Sequence, residues 1–310
     1  MLRRRSTPAG QHRPVMLEQV LAVLDPQPGM FVVDCTIGWA GHALELLRRV
    51  GPDGHLHGID LDADNLANAR QRLDEVGHPF TLQHANFAGL ANALAAEGIA
   101  QVDCVVADLG MSSMQVDDAE RGFSYVRDGP LDMRMDRSRG KTVAQLLATL
   151  PESDLQCALQ ELGDEPDADK IARAIVAARV NGPIERTSDL VRIVTQATQA
   201  TNWRLHPQRD KWNLHPAART FQALRILVNR ELANLEALLR SLPNCLKPGG
   251  KAAIISFHSG EDRLVKAAFR DGVRSGVYSE VSDDPVRADF KERTANPRAR
   301  SAKLRWARRA

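Results

Sequence analysis

The sequence predicts an α/β fold in which a doubly wound, mostly parallel sheet is interrupted by an inserted helical segment. Three observations carry this. Short β-branched and apolar runs at 31–35, 55–59, 80–84 and 102–107 alternate with amphipathic helical patterns, which is the signature of βαβ units. No convincing apolar strand occurs between Ser112 and His215. Another buried-strand pattern, at 251–257, then resumes the alternation.

In chain order, 16–24 reads as a short amphipathic helix ended by Pro26 and Pro28. The run 31–35 is a buried parallel strand that stops in a Gly-containing turn. A helix follows over 41–50, and Gly51-Pro52-Asp53-Gly54 makes a turn. The second strand, 55–59, ends at Asp60. A helix with a charged outer face covers 63–76, and 80–84 is the third strand. The fourth strand, 102–107, ends at Asp108. Helical patterns at 143–149, 153–162, 167–179 and 188–198 follow, punctuated by Gly163, Gly182-Pro183 and Pro207. One long helical pattern runs over 220–242. Lys247-Pro248-Gly249-Gly250 is a tight turn into the strand at 251–257. The stretch 283–300 is polar enough to be partly disordered, and 302–306 reads as a late strand on the sheet edge. Residues 12–112 and 218–310 thus form one discontinuous α/β domain, and 113–217 a helical insert.

At 310 residues, 43% hydrophobic and 26% charged, the chain has the make-up of a soluble globular protein with a sizeable core. Its apolar runs, such as 252–257, are too short to span a bilayer, so no membrane partner is expected. Met1-Leu2-Arg3-Arg4-Arg5 has no apolar stretch behind it and does not read as a signal peptide. The four cysteines are scattered without a C-x-x-C pair. That pattern predicts a reducing compartment, the cytoplasm, and no metal site. Net charge is only +2, but residues 1–13 hold four arginines and no acid, and 286–310 hold nine Lys/Arg against two acids. Basic ends on an acidic body fit a polyanionic partner. The alternative is that the termini are merely solvated.

Asp34-Cys35-Thr36-Ile37-Gly38-Trp39-Ala40-Gly41-His42 lies at the carboxyl end of the first strand and opens a helix, where ligands bind in a doubly wound sheet. Small residues let the backbone approach a ligand, and the helix start offers free N–H donors. Asp60 is placed to accept hydrogen bonds from ribose hydroxyls, or alternatively to cap the following helix. The loop lacks G-x-G-x-x-G, which disfavours a dinucleotide site and hence an oxidoreductase. Asp108 ends the fourth strand beside the switch point. The polar run 115–136 is too long for a plain connection and is either a functional loop or an interface. His258 follows the fifth strand and is either a reactive or a structural histidine. Trp203-Arg204 to Trp212 interleave aromatics with basic residues, the chemistry that stacks on unpaired bases and meets phosphates. The bland alternative is a surface loop anchored by its two tryptophans.

At 117–123 with 129–136, 170–176, 215–226, 254–262 and 296–304 the chain resembles the bacterial small-subunit rRNA cytosine-N4 methyltransferases, the MraW or RsmH family. The likeness extends over 12–309. The resemblance implies a class I methyltransferase (Rossmann-like) fold with a helical rRNA-recognition insert, and S-adenosylmethionine as cofactor. It implies methylation of the N4 amine of a cytidine in the decoding (P-site) region of 16S rRNA, with the small ribosomal subunit as partner; a homodimer is compatible with it. Carried over by position, cofactor contacts fall at Ala40, Gly41, His42, Asp60, Phe87, Asp108 and Gln115, with Phe87 beside the adenine and Asp60 on the ribose. Asp108 is the candidate catalytic residue, as acceptor for the amine or orienter of the cofactor. Arg134, Trp203, Arg204 and His258 are candidate substrate contacts. The chain departs from the family at Cys35 and Ala40, where glycine is usual, at Gly260, where leucine is usual, and at Asp283-Asp284, which replace a basic pair. Cys35 and Ala40 favour a second reading, a catalytically degenerate rRNA-binding or assembly factor on a methyltransferase scaffold.

Overall fold

A computed structural model describes residues 14–199 and 215–310 of the chain, which divide into two compact units. One combines the residues up to Gly110 with Leu232–Ala310, and the other is Met111–Glu231.

The first unit is built on a seven-stranded sheet. Its strands are β1 (Phe31–Asp34), β2 (His55–Asp60), β3 (Phe80–His84), β4 (Val102–Asp108), β5 (Leu246–Ser256), β6 (Tyr278–Val281) and β7 (Lys303–Arg309), in the order β3-β2-β1-β4-β5-β7-β6. The first five pair in parallel, and β7 runs antiparallel to both β5 and β6. This is the mixed α/β architecture expected of a class I methyltransferase. The central strands β1 and β4 and the second half of β5 are largely apolar and buried because both faces are covered. Val32, Cys104, Val106, Ala253 and Ile255 point to a core shared with the helices α1 (Leu17–Leu24), α2 (Gly41–Val50) and α3 (Ala63–Asp74). Val33, Val105, Ala107, Ala252 and Ile254 point to the opposite core, shared with α4 (Leu90–Ala96), α11 (Glu231–Cys245) and α12 (Ser259–Arg274).

The second unit is helical. It comprises α5 (Ser113–Asp117), α6 (Val143–Thr149), α7 (Glu152–Gly163), α8 (Ala168–Val180), α9 (Thr187–Ala197) and α10 (Ala218–Asn229), around a core that includes Leu131, Met133, Leu155, Ile171, Ile175, Leu190 and Leu224. The sequence pattern puts α10 with the α/β domain, but Phe221, Ala223 and Leu224 of α10 are buried in the insert's own core. Gly163 lets α10 approach α7, since a Cβ there would come within 2.7 Å of the Arg219 carbonyl oxygen.

Four expectations are corrected. The single helix over 220–242 is two helices, α10 and α11, separated by Arg230 in the left-handed region (φ 51°). Asn229 secures the break: its amide donates to the Met133 carbonyl and its oxygen accepts the Met135 N–H, both at 2.8 Å. The strand near 302–306 is not the sheet edge, because β6, an additional short strand, covers β7 on its outer side. The Lys247–Gly250 turn lies within β5 as an irregularity in its pairing with β4. The polar stretch 283–300 is structured: Asp289 caps the short helix α13 (Phe290–Ala295) by accepting the Glu292 N–H at 2.7 Å, and Ala288 and Ala299 are buried.

The long polar run of the insert is likewise a knot of backbone contacts rather than a free loop. Arg121 is buried and donates to the Arg134 and Met135 carbonyls (3.2 and 2.9 Å). The Gly129 N–H donates to Thr187 Oγ1 at 3.1 Å. A Cβ at Gly129 would collide with the Ala119 carbonyl, and backbone cannot yield as a side chain tip can. Gly129→Ala should therefore destabilise the insert by about 2–4 kcal/mol, read as a lower denaturation midpoint. A wild-type midpoint would show that the run is not tightly packed.

Candidate active site

The loop between β1 and α2 is tied to the strands on either side. Asp34, 2% exposed, accepts the Thr36 N–H at 3.0 Å. Thr36 Oγ1 accepts the Asp108 N–H at 2.7 Å, which fastens the loop to the end of β4. On the other side, the Ile37 N–H donates to the Ile59 carbonyl at 3.0 Å, and the Gly38 N–H donates to Asp60 Oδ2 at 2.8 Å. The Ile37 side chain lies on Gly58, where a Cβ would overlap it. The β1 and β4 ends thus meet at the switch point where doubly wound sheets bind ligands.

Ala40, Gly41 and His42 end the loop. Ala40 is fully buried with φ 59° and ψ 32°, a conformation that costs a non-glycine residue about 1–2 kcal/mol. Its methyl packs into the sheet-side core, and its N–H closes the turn on the Ile37 carbonyl at 2.7 Å. Gly41 starts α2 directly beneath Pro14, whose Cβ would stand 3.0 Å from an added Cβ. His42 is buried; its Nε2 lies 2.9 Å from the Val15 carbonyl oxygen and its Nδ1 lies 4.0 Å from Asp108 Oδ2.

Asp60 does not cap α3; Asp62 does, accepting the Asp64 N–H at 3.2 Å. Besides Gly38, Asp60 accepts the Asp62 N–H (2.8 Å) and the Asn65 side-chain amide (3.2 Å), both at Oδ1. A carboxylate has about four acceptor positions, so among the described residues one direction on Oδ2 stays open. The Ala85 N–H donates to the Asp60 carbonyl at 3.1 Å, which brings the chain leading to Phe87 to the same edge. Phe87 opens a short 3-10 turn capped by Asn86 and is partly buried against the core.

Burial raises all three strand-end carboxyls, and neighbouring charges add to it. Burial pushes the Asp34 carboxyl up to about 7, with Asp60 adding to the rise and the Thr36 hydrogen bonds opposing it. Burial raises Asp60 as well, against the Asp62, Gly38 and Asn65 donors. Asp108 is pushed up to about 8, first by burial and then by the charge of Asp34; Arg298 pulls it down and Glu261 raises it. Asp108 Oδ1 is buried and has no hydrogen-bond partner among the described residues, an open acceptor at the switch point. Clustered acids that resist ionisation suit a cationic ligand with hydroxyl groups, and S-adenosylmethionine is such a ligand.

Gln115 lies in the second unit, where it forms a capping box with Ser112 at the start of α5: its N–H donates to Ser112 Oγ (3.2 Å) and its Oε1 accepts the Ser112 N–H (2.9 Å). Arg134, in the same unit, makes a two-pronged ion pair with Asp132 (2.7 and 2.9 Å) and donates to the Arg139 and Gly140 carbonyls. His258 precedes α12 with its Nε2 3.2 Å from Glu261 Oε1, and Glu261 Oε2 accepts the Phe257 N–H at 2.8 Å. Cys35 is buried at the end of β1, and burial raises its thiol. A Cβ at Gly260 would press on the His258 ring at 3.2 Å. Trp203 and Arg204 lie outside the described residues. Sequence reasoning passed over Thr36, whose hydroxyl joins two strand ends, and Arg298, whose charge reaches Asp108 from the stretch read as partly disordered.

The raised Asp108 carboxyl has a sign. Below about pH 4 both folded and unfolded chains hold its proton. As the pH rises through 8 the unfolded chain has released the proton while the folded chain resists, so this group's contribution to stability is lost over that window. Asp108→Asn should therefore melt roughly 2–6 °C above wild type at pH 8, with the gap closing near pH 4. Identical melting curves at pH 8 would contradict the buried-acid reading.

No helix among the described residues is long and apolar enough to cross a membrane. Residues 9–310 match the model of the MraW methylase family. A protein of Geobacter sp. (strain M21) named Ribosomal RNA small subunit methyltransferase H is 45% identical over 309 residues, covering 95% of this chain and 97% of its own. Proteins of the same name from Geobacter sulfurreducens (44% identical, 96% and 98% covered) and Syntrophobacter fumaroxidans (43%, 96% and 96%) match similarly. S-adenosylmethionine is the methyl donor for an enzyme of this fold and kinship, and the chain belongs to the MraW methylase family.

Proposed function

We propose that this methyltransferase methylates small-subunit ribosomal RNA, at the exocyclic N4 amine of a cytidine in the decoding (P-site) region. The name shared by relatives 43–45% identical over nearly their whole length supports the RNA. The observation that carries the acceptor chemistry is the buried Asp108 Oδ1 at the end of β4, which has no hydrogen-bond partner among the described residues. A cytosine amine has its lone pair delocalised into the ring and needs a hydrogen-bond acceptor to localise it.

When bound, S-adenosylmethionine supplies a methyl group made electrophilic by the sulfonium. The chain's own work is to bind, align and exclude water. Asp60 uses its open Oδ2 direction for a ribose hydroxyl while its other bonds hold the loop. Phe87 offers a face to the adenine. The backbone of Ala40, Gly41 and His42, at the start of α2, would hold the cofactor, and Gln115 of the helical unit is a further contact in this proposal. Asp34 and Asp108 make the pocket negative, and a cation there favours their ionised forms. Asp108 Oδ1 then accepts an N4–H, aligns the lone pair and receives the proton that the amine loses. The target base leaves its stack to enter the pocket.

In this reading the α/β unit, the residues up to Gly110 with Leu232–Ala310, binds the cofactor, and the helical unit Met111–Glu231 is the rRNA-recognition subdomain, with Trp203 and Arg204 stacking on and pairing with RNA. Arg134 holds the shape of the insert through Asp132, and His258 orders the start of α12 near the acceptor base. The basic C-terminal stretch adds phosphate contacts, and the substrate places the protein in the cytoplasm. The degenerate-scaffold alternative draws on Cys35 and Ala40, but Cys35 is buried at the end of β1 and the left-handed Ala40 is held by its N–H on the Ile37 carbonyl.

The direct test is transfer of labelled methyl to small ribosomal subunits from a strain lacking this gene, followed by mass-spectrometric mapping. The expected product is a single N4-methylated cytidine in the decoding region. Label on another nucleotide, or none at all, would overturn the assignment.

A further inference from the structure

Phe290, at the first position of α13, is the one exposed aromatic side chain among the described residues, with 78% of it accessible. A single exposed apolar residue is ordinary on a protein surface, so what distinguishes this one is its setting. The fold does not use the ring, since α13 buries no residue. Polar contacts hold the helix instead. Asp289 caps it, the Thr294 hydroxyl donates to the Phe290 carbonyl at 2.8 Å, and Arg300 Nε donates to the Arg293 carbonyl at 3.0 Å. Residues 286–300 hold five Lys/Arg against two acids. Both acids are engaged, Asp289 in the cap and Glu292 as acceptor of the Met16 N–H. Arg287, Lys291 and Arg293 are exposed, and Arg293 lies three residues on from Phe290, on the same helix face.

The helix α13 also stands at the rim of the cofactor loop. Glu292 Oε1 accepts the Met16 N–H at 2.7 Å, and the carbonyl of Val15, the residue before, lies 2.9 Å from His42 Nε2 at the start of α2. Ala288 and Ala299, on either side of α13, are buried in the core that holds Met16 and Ala40. An RNA strand that delivers one base to the end of β4 would pass this surface with its neighbouring nucleotides.

We propose that Phe290 is a stacking platform for an unpaired nucleotide flanking the target cytidine, with Lys291 and Arg293 meeting the phosphates beside it. The inference rests on the reading above that the acceptor is a cytidine in ribosomal RNA. Every base has a flat π-face, so a ring grips a strand without reading its sequence. When the target base leaves its stack, its neighbour loses a stacking partner, and Phe290 supplies one. An apolar socket on a protein would ask only for bulk and would have to bury the cations around the ring, which is costly. Stacking on RNA leaves those cations in water, next to phosphates. The exposed pair Asp283-Asp284, before the bridge of Val286 to Leu304, repels phosphate and keeps the strand to the α13 side.

The test uses the full chain with small ribosomal subunits from a strain lacking this gene, and with a fluorescein-labelled oligocytidylate of about twelve nucleotides. Phe290→Ala should raise KM for subunits about fivefold or more, with kcat within about twofold of wild type, and should weaken oligonucleotide binding by a similar factor. Phe290→Trp should keep wild-type KM, and its added fluorescence should be quenched by the oligonucleotide. Phe290→Leu, which keeps bulk without the ring, should behave as Phe290→Ala does. Lys291→Gln should lower the salt dependence of binding by about one counterion, whereas Phe290→Ala should leave that slope unchanged. Melting temperature and calorimetric affinity for S-adenosylmethionine should match wild type in every variant. An unchanged KM in Phe290→Ala, with wild type active on subunits, would overturn this proposal and leave the rRNA reading standing. Wild-type KM in Phe290→Leu would overturn it in favour of an apolar protein contact, and a lowered melting temperature in Phe290→Ala would overturn it in favour of a role in the fold. Wild type that methylates no subunits would overturn the reading of the substrate, and this inference with it.

Discussion

The hydrogen bond from the Gly38 N–H to Asp60 Oδ2, 2.8 Å long, joins the loop after β1 to the end of β2. The remaining geometry of the candidate site depends on it. It sets the height of the loop over the sheet, so that Thr36 reaches back to the Asp108 N–H on the far side. It lets Ile37 settle on Gly58, and it delivers the chain to the left-handed turn at Ala40 from which α2 starts. One partly buried acid thus organises backbone from β2 across β1 to β4, and an acid can do this because each carboxylate oxygen can accept more than one donor.

Holding three acids so close has a physical consequence. Burial raises Asp34 and Asp108 far above the ordinary carboxylate range, with Asp60 adding to the rise at Asp34 and Asp34 adding to the rise at Asp108, so the fold is opposed by its own charges near neutral pH. A cationic ligand relieves that opposition. The same arrangement that costs stability therefore supplies affinity for a sulfonium, and a site strained in the free protein is the usual form of that exchange. Arg298, from the C-terminal stretch, partly offsets the charge.

Much of this was legible in the sequence. The strand ends Asp34, Asp60 and Asp108 were found because apolar runs mark buried parallel strands, and the residue that closes such a run falls at the ligand-binding edge. The resemblance to the methyltransferase family rested on the insert and the C-terminal motifs, and kinship across the chain agrees with it. What escaped was decided by tertiary contact. Arg230 carries no mark of a helix break; the break is made by Asn229 bonding to the distant Met133 and Met135. Strand β6 is only four residues long and gains its place by pairing with β7. The stretch 283–300 looked polar because its order comes from caps and a few buried alanines rather than from an apolar face. Ala40 read as a costly residue in a glycine position, and its left-handed backbone agrees with that; what the sequence did not show is that its methyl packs in the core.

The central claim is that Asp60 both sets the loop and presents a carboxylate oxygen to the cofactor. Calorimetric titration of S-adenosylmethionine into Asp60→Ala and wild type tests it most directly. The account predicts that affinity falls tenfold or more, about 1.4 kcal/mol at least, because the loop anchor and the ribose acceptor are lost together. Affinity within twofold of wild type would contradict it.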